Sequence, residues 1–225
     1  MARVTLSSLR SLSLRGGNGY LEAILARTNT PHLEIIHIYL FHQFAFNPPH
    51  PSQLASSIKK PQFDCAWLHF YPGSVSLVAG DWRRDWIPFR IQITYAHLDW
   101  QVASAIQVFG VISPMLSVVE RLELSYYSYD DDDGPPEWYE VDPTQWRELL
   151  RPFRNLQTLS VDDELVGELS HSLRLADEEP SPERPLPELR ELIYVGGDRG
   201  GDAFAPFIHA RQTAGQSVDL VRDCD

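Results

Sequence analysis

FRNLQTLSVDDELV, residues 153–166, places apolar side chains at Leu156, Leu159 and Val161 in the pattern apolar-x-x-apolar-x-apolar. Alternation over the last three positions of this pattern is typical of a short β-strand with one buried face. Segment 162–173 follows at once and begins with acidic residues, which stabilise the first turn of a helix. The stretch therefore predicts one strand followed by one helix.

The same pattern recurs four more times, so the stretch is one copy of a unit that the chain repeats. The other copies are LRSLSL (9–14), LEIIHI (33–38), VERLEL (119–124) and LRELIY (189–194). Successive copies start 24, 86, 37 and 33 residues apart. Helical spacing or capping residues occur in 18–28, 100–112, 142–153, 162–173 and 202–215. Asp99 can cap the second of these helices, Asp142 followed by Pro143 can cap the third, and the last is expected to start at Asp202. A last strand candidate is SVDLV, 217–221.

Strands and helices that alternate at such periods indicate repeats that bury their apolar faces only by stacking on neighbours. The spacing exceeds the ~20 to 29 residues that are usual for leucine-rich repeats, and the Asn/Cys position of their consensus is missing. We therefore expect an α/β fold in which residues 1–225 form a single array. Its expected architecture is an irregular, leucine-rich-repeat-like solenoid, with room for two degenerate units in the longest gap.

The centre of the chain departs from the repeat. Segment 63–80, FDCAWLHFYPGSVSLVAG, has two extended runs on either side of Tyr71-Pro72-Gly73-Ser74. Pro-Gly at this place is typical of a type II turn. The following segment FRIQITY, 89–95, alternates like a third strand. We expect a central antiparallel hairpin region within the solenoid.

The net charge of -12 is concentrated in the second half of the chain. Residues 1–128 contain 10 Lys+Arg and 8 Asp+Glu, a net charge of +2, whereas residues 129–225 contain 9 and 23, a net charge of -14. Segments about 129–141 and 176–188 combine acids with prolines and are expected to be exposed loops. Because an acidic half repels phosphate backbones, we expect no nucleic-acid partner and, mildly, a basic protein partner.

Cysteine usage and hydropathy indicate the compartment. Cys65 and Cys224 provide neither a disulfide framework nor a C-x-x-C motif, which favours an intracellular location, cytoplasmic or nuclear. Residues 100–119 carry no formal charge, but serines, glutamines and Pro114 interrupt this run. We interpret it as a buried helix that leads to a strand, and we expect no membrane association.

No motif of the sequence predicts a particular chemistry. Asp130–Asp133 lacks the alternating ligands of a calcium loop, and 194–204 fails the G-x-G-x-x-G register of a dinucleotide site. His32, His37 and His42 are five positions apart, so a strand would direct neighbouring members to opposite faces. We therefore expect no cofactor, no metal site and no enzymatic activity. An enzyme with an unrecognised site is an alternative.

Several segments together resemble a known family. They include YLEAILARTNTPHLEIIHIYLF, LDWQVASAIQVF, SVVERLELSY, WRELLRPFRNLQTLSVDDELVGELSHSL, LPELRELIYVG and DAFAPFIHARQTAGQSVDLVR. This series resembles the region that follows the F-box in the large F-box-like families of mushroom-forming fungi. The resemblance implies a non-catalytic protein-interaction module that recognises degradation targets for a ubiquitin ligase.

The resemblance does not extend to the F-box itself. In such families the F-box helices bind a Skp-type adaptor, whereas this sequence starts at LSSLRSLSL inside a repeat. An adaptor is therefore an expected partner only if an upstream F-box exists, and the protein target is unknown. A truncated fragment with no independent function is the alternative to a stand-alone module.

The repeat register predicts a binding surface. Strand positions that alternate with the buried residues would line one inner face of the array. The positions we expect to contact a partner are Ser13, Arg15, His37, Tyr39, Arg121, Glu123, Ser125, Thr158, Ser160, Asp162, Glu191 and Ile193.

Overall fold

A computed structural model describes residues 3–41, 63–84, 86–94, 98–127, 141–178, 185–195 and 199–223. Its strands are β1 (Val4–Thr5), β2 (Ser11–Gly16), β3 (Thr28–Asn29), β4 (Ile35–Phe41), β5 (Cys65–Tyr71), β6 (Ser74–Asp81), β7 (Trp86–Thr94), β8 (Arg121–Tyr126), β9 (Thr158–Asp162), β10 (Glu191–Val195) and β11 (Asp219–Asp223). Its α-helices are α1 (Asn18–Arg27), α2 (Leu98–Leu116), α3 (Pro143–Leu150), α4 (Asp163–Glu178) and α5 (Arg199–Thr213). A short 3-10 turn covers Trp82–Arg84.

Nine of these strands form one mixed sheet in the order β11-β10-β9-β8-β5-β6-β7-β4-β2. Strand β6 runs antiparallel to both of its neighbours, β5 and β7. All other neighbouring pairs in this sheet are parallel. The short strands β1 and β3 pair separately with each other. The centre of the sheet is thus an antiparallel meander between two parallel wings.

The expectation of an irregular, leucine-rich-repeat-like solenoid is wrong. The protein is an α/β fold dominated by one mixed nine-stranded sheet. The repeated pattern indicates a strand that has one buried face and is preceded by a buried residue. Many α/β sheets contain such strands. The pattern therefore does not distinguish stacked solenoid units from neighbouring strands of a mixed sheet. The gap between β4 and β8 contains a three-stranded meander instead of two degenerate units.

Several local predictions are confirmed. The five copies of the pattern overlap β2, β4, β8, β9 and β10, and SVDLV overlaps β11. The two runs around Pro72-Gly73 pair antiparallel, with Tyr71 opposite Ser74. Helix α3 has Asp142 as its N-cap, where a side-chain oxygen accepts a hydrogen bond from the Thr144 backbone N–H at 2.8 Å.

Two helix starts differ from the sequence-based expectation. Helix α2 begins at Leu98 and helix α5 at Arg199, so Asp99 and Asp202 lie inside the helices instead of capping them. Most of the uncharged run at 100–119 lies in α2, which includes Pro114. Among the helices that the structure describes, none combines the length and apolarity that crossing a bilayer requires.

The hydrophobic core lies on one face of the sheet. Buried side chains from alternate positions of the strands form a continuous cluster, and each of the five described helices contributes to it. Phe70 of β5 contacts Trp146 of α3 edge to face, with ring centroids 5.8 Å apart. Phe109 of α2 contacts Phe153 in the same way at 5.4 Å. Because strand side chains alternate, the remaining strand positions point away from these helices.

Several sequence-based predictions fall wholly or partly outside the described residues. They concern the acidic run Asp130–Asp133, His42, Cys224, most of the two acidic loops and the centre of the glycine-rich segment 194–204.

Candidate functional site

The candidate site is the open face, which we define as the side of the nine-stranded sheet opposite the core cluster. Its side chains alternate along each strand with the buried ones, as in β4, where Ile36 and Ile38 are fully buried and His37 and Tyr39 are partly exposed. All twelve positions predicted to contact a partner lie on this face. The sequence register therefore assigned their common orientation, and whether they bind a partner stays a prediction.

The structure divides these positions into two groups. On the side of β2 and β4, Ser13 lies opposite His37 and Arg15 lies opposite Tyr39. The Arg15 guanidinium carbon is 4.9 Å from the centroid of the Tyr39 ring, a cation–π contact. Strands β7, β6 and β5 separate this group from the positions on β8, β9 and β10.

The second group forms two cross-strand rows. One row contains Arg121, Thr158 and Glu191, and the next contains Glu123, Ser160 and Ile193. The Thr158 hydroxyl donates to a Glu191 carboxylate oxygen at 3.3 Å. The Ser125 hydroxyl donates to a Glu123 carboxylate oxygen at 2.9 Å. These hydrogen bonds fix polar side chains in place on the open face.

Asp162 ends β9 in an environment that disfavours its charge. Burial raises the pKa of its carboxyl to about 6, and the nearby charges of Glu164 and Glu123 act in the same direction. A hydrogen bond from the backbone N–H of Tyr126 to the carboxylate, 2.9 Å long, opposes this rise. The acidic side of the open face therefore contains a carboxyl group that titrates close to neutral pH.

Between the two groups lies an aromatic cluster that the sequence analysis missed. Rings of His69 and Tyr71 from β5 and of Tyr127 after β8 stack at centroid distances of 5.3 to 6.4 Å. The ring of Trp67, also on β5, lies beside that of Trp82, with the ring centroids 6.0 Å apart. The signal was present in CAWLHFY, where Ala66, Leu68 and Phe70 alternate with these residues. The segment FDCAWL, 63–68, even fits the repeat pattern, but it was interpreted as part of the central hairpin and contributed no predicted contact position.

The other missed residues lie on β7 and β6. Arg90 and Gln92 of β7 point to the open face, opposite Val78 and Ser76 of β6. These two β6 residues are buried although they face away from the core cluster. Larger side chains on the flanking strands β5 and β7 account for this burial, because they stand higher than serine and valine.

His69 is neutral at neutral pH. Burial, followed by the positive charge of Arg90, lowers the pKa of its imidazole to about 4. Its Nδ1 atom is buried and has no hydrogen-bond partner within the described part of the chain. The same holds for His37 Nε2 and for Arg90 Nε. Three unpartnered nitrogen atoms therefore belong to side chains of the open face.

Charge is distributed unequally over the open face. The described open-face positions of β2, β4 and β7 include Arg15, His37 and Arg90 and no acidic residue. The open-face positions of β8 to β11 carry one basic residue, Arg121, and five acids, namely Glu123, Asp162, Glu191, Asp219 and Asp223. One end of the face is therefore basic and the other acidic.

The described residues include neither a reactive thiolate nor a set of side chains suited to bind a metal ion. Burial, followed by interaction with Asp64, raises the pKa of the Cys65 thiol to about 12. This thiol donates to the Gly80 carbonyl oxygen at 3.3 Å and is not a thiolate at neutral pH. Over the ranges that the structure describes, no three His, Cys, Asp or Glu side chains are grouped so that they could hold a metal ion.

Comparison of the chain with protein-family models, with curated proteins and with solved structures gave no match.

Proposed function

We propose that this chain is a non-catalytic protein-interaction module that binds its partner on the open face. The observation that carries this proposal is the aromatic cluster of His69, Tyr71 and Tyr127, which is partly exposed and lies between the two groups of predicted contact positions. Aromatic side chains and arginine are enriched at protein interfaces, since they bury a large area in few rotamers.

The dimensions of the open face fit a protein partner. Strands lie about 4.8 Å apart, so nine strands span roughly 40 Å, and a five-residue strand is about 17 Å long. The product of these lengths is of the same order as the ~800 Å² that each partner contributes to a standard interface. A small ligand needs a concave site, whereas the face of a large sheet offers an extended surface for a protein.

The resemblance of the sequence to F-box-like families favours a specific role. In those families, the corresponding region is presumed to hold a degradation target for a ubiquitin ligase. We place the open face in that role, as the surface that contacts the target. A Skp-type adaptor belongs to this proposal only where an F-box accompanies the region.

The experiment compares proteins captured from an extract of the source organism by three versions of the chain. The first is the unchanged chain, and the second is the double variant Trp82→Ala/Tyr127→Ala, which truncates two exposed side chains at the open face. The third is Tyr20→Ala, a matched control on helix α1, where the side chain is 73% exposed. Circular dichroism would verify that all three versions fold.

A protein that is captured by the unchanged chain and by Tyr20→Ala, and is lost with the double variant, supports the proposal. The same set of proteins captured by all three versions contradicts it, because binding would then not require the open face. Enrichment of no protein by the folded, unchanged chain also counts against it and favours a fragment without independent function.

A further inference from the structure

Arg90 is a cation without a counter-charge in its described surroundings. It lies in the middle of β7, with Phe89 and Ile91 of the core on either side of it in the sequence. No acidic side chain among the described residues forms an ion pair with it. Its Nε atom is shielded from solvent and donates no hydrogen bond within these same residues. Among the described residues, the guanidinium group therefore has neither a counter-charge nor an acceptor for its Nε–H.

Two histidines accompany Arg90. His37 of β4 is its direct cross-strand neighbour, and His37 Nε2 is also buried without a partner in the described structure. His69 of β5 lies close enough for the charge of Arg90 to lower its pKa, and His69 Nδ1 is likewise unpartnered. We call these three residues the Arg90 patch. It brings together one cation and two imidazoles with unused hydrogen-bonding capacity.

An external acceptor is the physical explanation of such a patch. Buried polar groups in folded proteins are nearly always hydrogen-bonded, because an unmade bond leaves the cost of desolvation uncompensated. The Nε atom of Arg90 is closed to water and to a docking group alike, so a new acceptor can meet only the terminal nitrogen atoms of the guanidinium, which are not among the buried, unpartnered atoms. An acceptor that covers the patch would bond to the rest of the guanidinium and neutralise its charge.

The charge pattern of the open face identifies the acceptor as an anionic group of the partner. A carboxylate that approaches β2, β4 and β7 meets no acidic side chain on their described open-face positions. At the other end of the face it would be repelled by Glu123, Asp162 and Glu191. The aromatic rings of Tyr39 and Trp67 flank the patch and provide apolar surface for the residues next to this carboxylate.

We propose that the Arg90 patch binds the side-chain carboxylate of an Asp or Glu in a protein segment that docks on the open face. This inference rests on the proposed function, and it specifies which chemistry of the partner is recognised. The partner segment would cross the strands with its acidic residue over β7. Basic residues of the same segment would then lie over the acids of β8 to β10.

The first test selects binders from a phage-displayed library of random peptides of fixed length, with the full chain as the target. We expect the unchanged chain to enrich peptides that contain Asp or Glu. Arg90→Gln, which retains most of the side-chain length and removes the charge, is expected to lose this enrichment. Enrichment of Asp and Glu that is the same for both proteins would overturn the proposal.

The second test is a double-mutant cycle with the best-enriched acidic peptide. Replacing its Asp or Glu by the amide should weaken binding to the unchanged chain about tenfold or more, because a charge-assisted hydrogen bond is lost. Against Arg90→Gln the same replacement should have almost no effect. Arg90→Lys, which retains the charge without the planar guanidinium, should recover part of the preference. Equal weakening against the unchanged chain and Arg90→Gln would contradict the assignment to Arg90.

Three further outcomes separate this inference from the proposed function. In the first outcome, the selected peptides bind Trp82→Ala/Tyr127→Ala more weakly than the unchanged chain but contain no Asp or Glu. This result would overturn the assignment to Arg90 and would still support the proposed function. In the second outcome, the double variant binds the peptides as tightly as the unchanged chain does, or the selection enriches no peptide. This result would count against both the proposed function and the Arg90 inference. Competition by millimolar inorganic phosphate equal to that by the acidic peptide would also overturn the proposal, because the patch would then be a site for small anions.

Discussion

The two faces of the central strands differ in what their side chains contact, although alternate residues of the same strands form both faces. In β5, Leu68 and Phe70 are fully buried in the core cluster. Their neighbours Trp67, His69 and Tyr71 are partly exposed on the open face, where their rings contact other aromatic rings. The comparison teaches that the core and the surface proposed for recognition are separated by a single residue step along the chain. The predictions below test this separation.

The largest expected difference is between Phe70→Ala and Tyr71→Ala. Phe70 loses contacts in a closely packed core, including the edge-to-face contact with Trp146, so its truncation should lower the free energy of unfolding by about 4 kcal/mol. Tyr71 is partly exposed, so its truncation should cost about 1 kcal/mol. Urea denaturation of both variants gives the two values. Equal losses would show that the open face contributes as much to the stability as the core.

The second prediction concerns the part of the acid-induced loss of stability that His69 causes. Because its folded pKa, about 4, is below the ordinary value of 6.5, the unfolded chain binds a proton in this range that the folded chain does not. Unfolding free energy should therefore decrease as the pH falls from 6.5 to 4. With allowance for partial exposure, we expect His69 to contribute about 2 kcal/mol of this decrease.

The matched variant for this prediction is His69→Gln, which is polar and does not titrate. Its unfolding free energy, measured by urea denaturation at several pH values, should decrease less than that of the unchanged chain. Parallel pH profiles for the two proteins would show that the histidine is not held in its neutral form by its position on the open face.

The smallest effect is expected for Asp162, whose folded pKa shifts in the opposite direction. Its folded pKa of about 6 exceeds the ordinary value of 3.8, so the folded state retains a proton that the unfolded state loses as the pH rises between these values. Charged Asp162 therefore destabilises the fold at pH 7. Asp162→Asn retains an oxygen that can accept the Tyr126 N–H bond, and should stabilise the protein at pH 7 by about 1 kcal/mol after a discount for solvent screening.

Thermal unfolding of Asp162→Asn at pH 7 and pH 4 checks this prediction. The stabilisation should be present at pH 7 and nearly absent at pH 4, where the carboxyl of the folded unchanged chain is protonated. A destabilised variant at pH 7 would mean that the carboxylate is favoured by the hydrogen bond from Tyr126 more than it is disfavoured by burial and the nearby acids.

Much of the local structure was predictable because it depends on short sequence periods. The apolar-x-x-apolar-x-apolar pattern identified five strands, and the Asp142-Pro143 pair identified the start of α3. Alternation also placed the twelve predicted contact positions on a common face. The aromatic cluster and Arg90 were missed because their segments were interpreted as the central hairpin region, whereas the predicted surface was taken only from the five repeat copies.

The solenoid architecture was predicted wrongly for a physical reason. A period of two residues specifies which face of a strand is buried, but it contains no information on which strand lies next to which. Strand β7 pairs with β4, and β5 pairs with β8, although β5 and β6 come before β7 in the chain. Such pairings depend on packing between residues far apart in the sequence.

The sequence by itself determined where most strands and helices lie and which side chains of each repeat-pattern strand face the core, because these properties arise from the backbone geometry of neighbouring residues. Only the tertiary structure decided that nine strands form one mixed sheet with an antiparallel centre. It also decided that His37, His69 and Arg90, from three different strands, belong to one patch, because cross-strand neighbours are set by long-range packing.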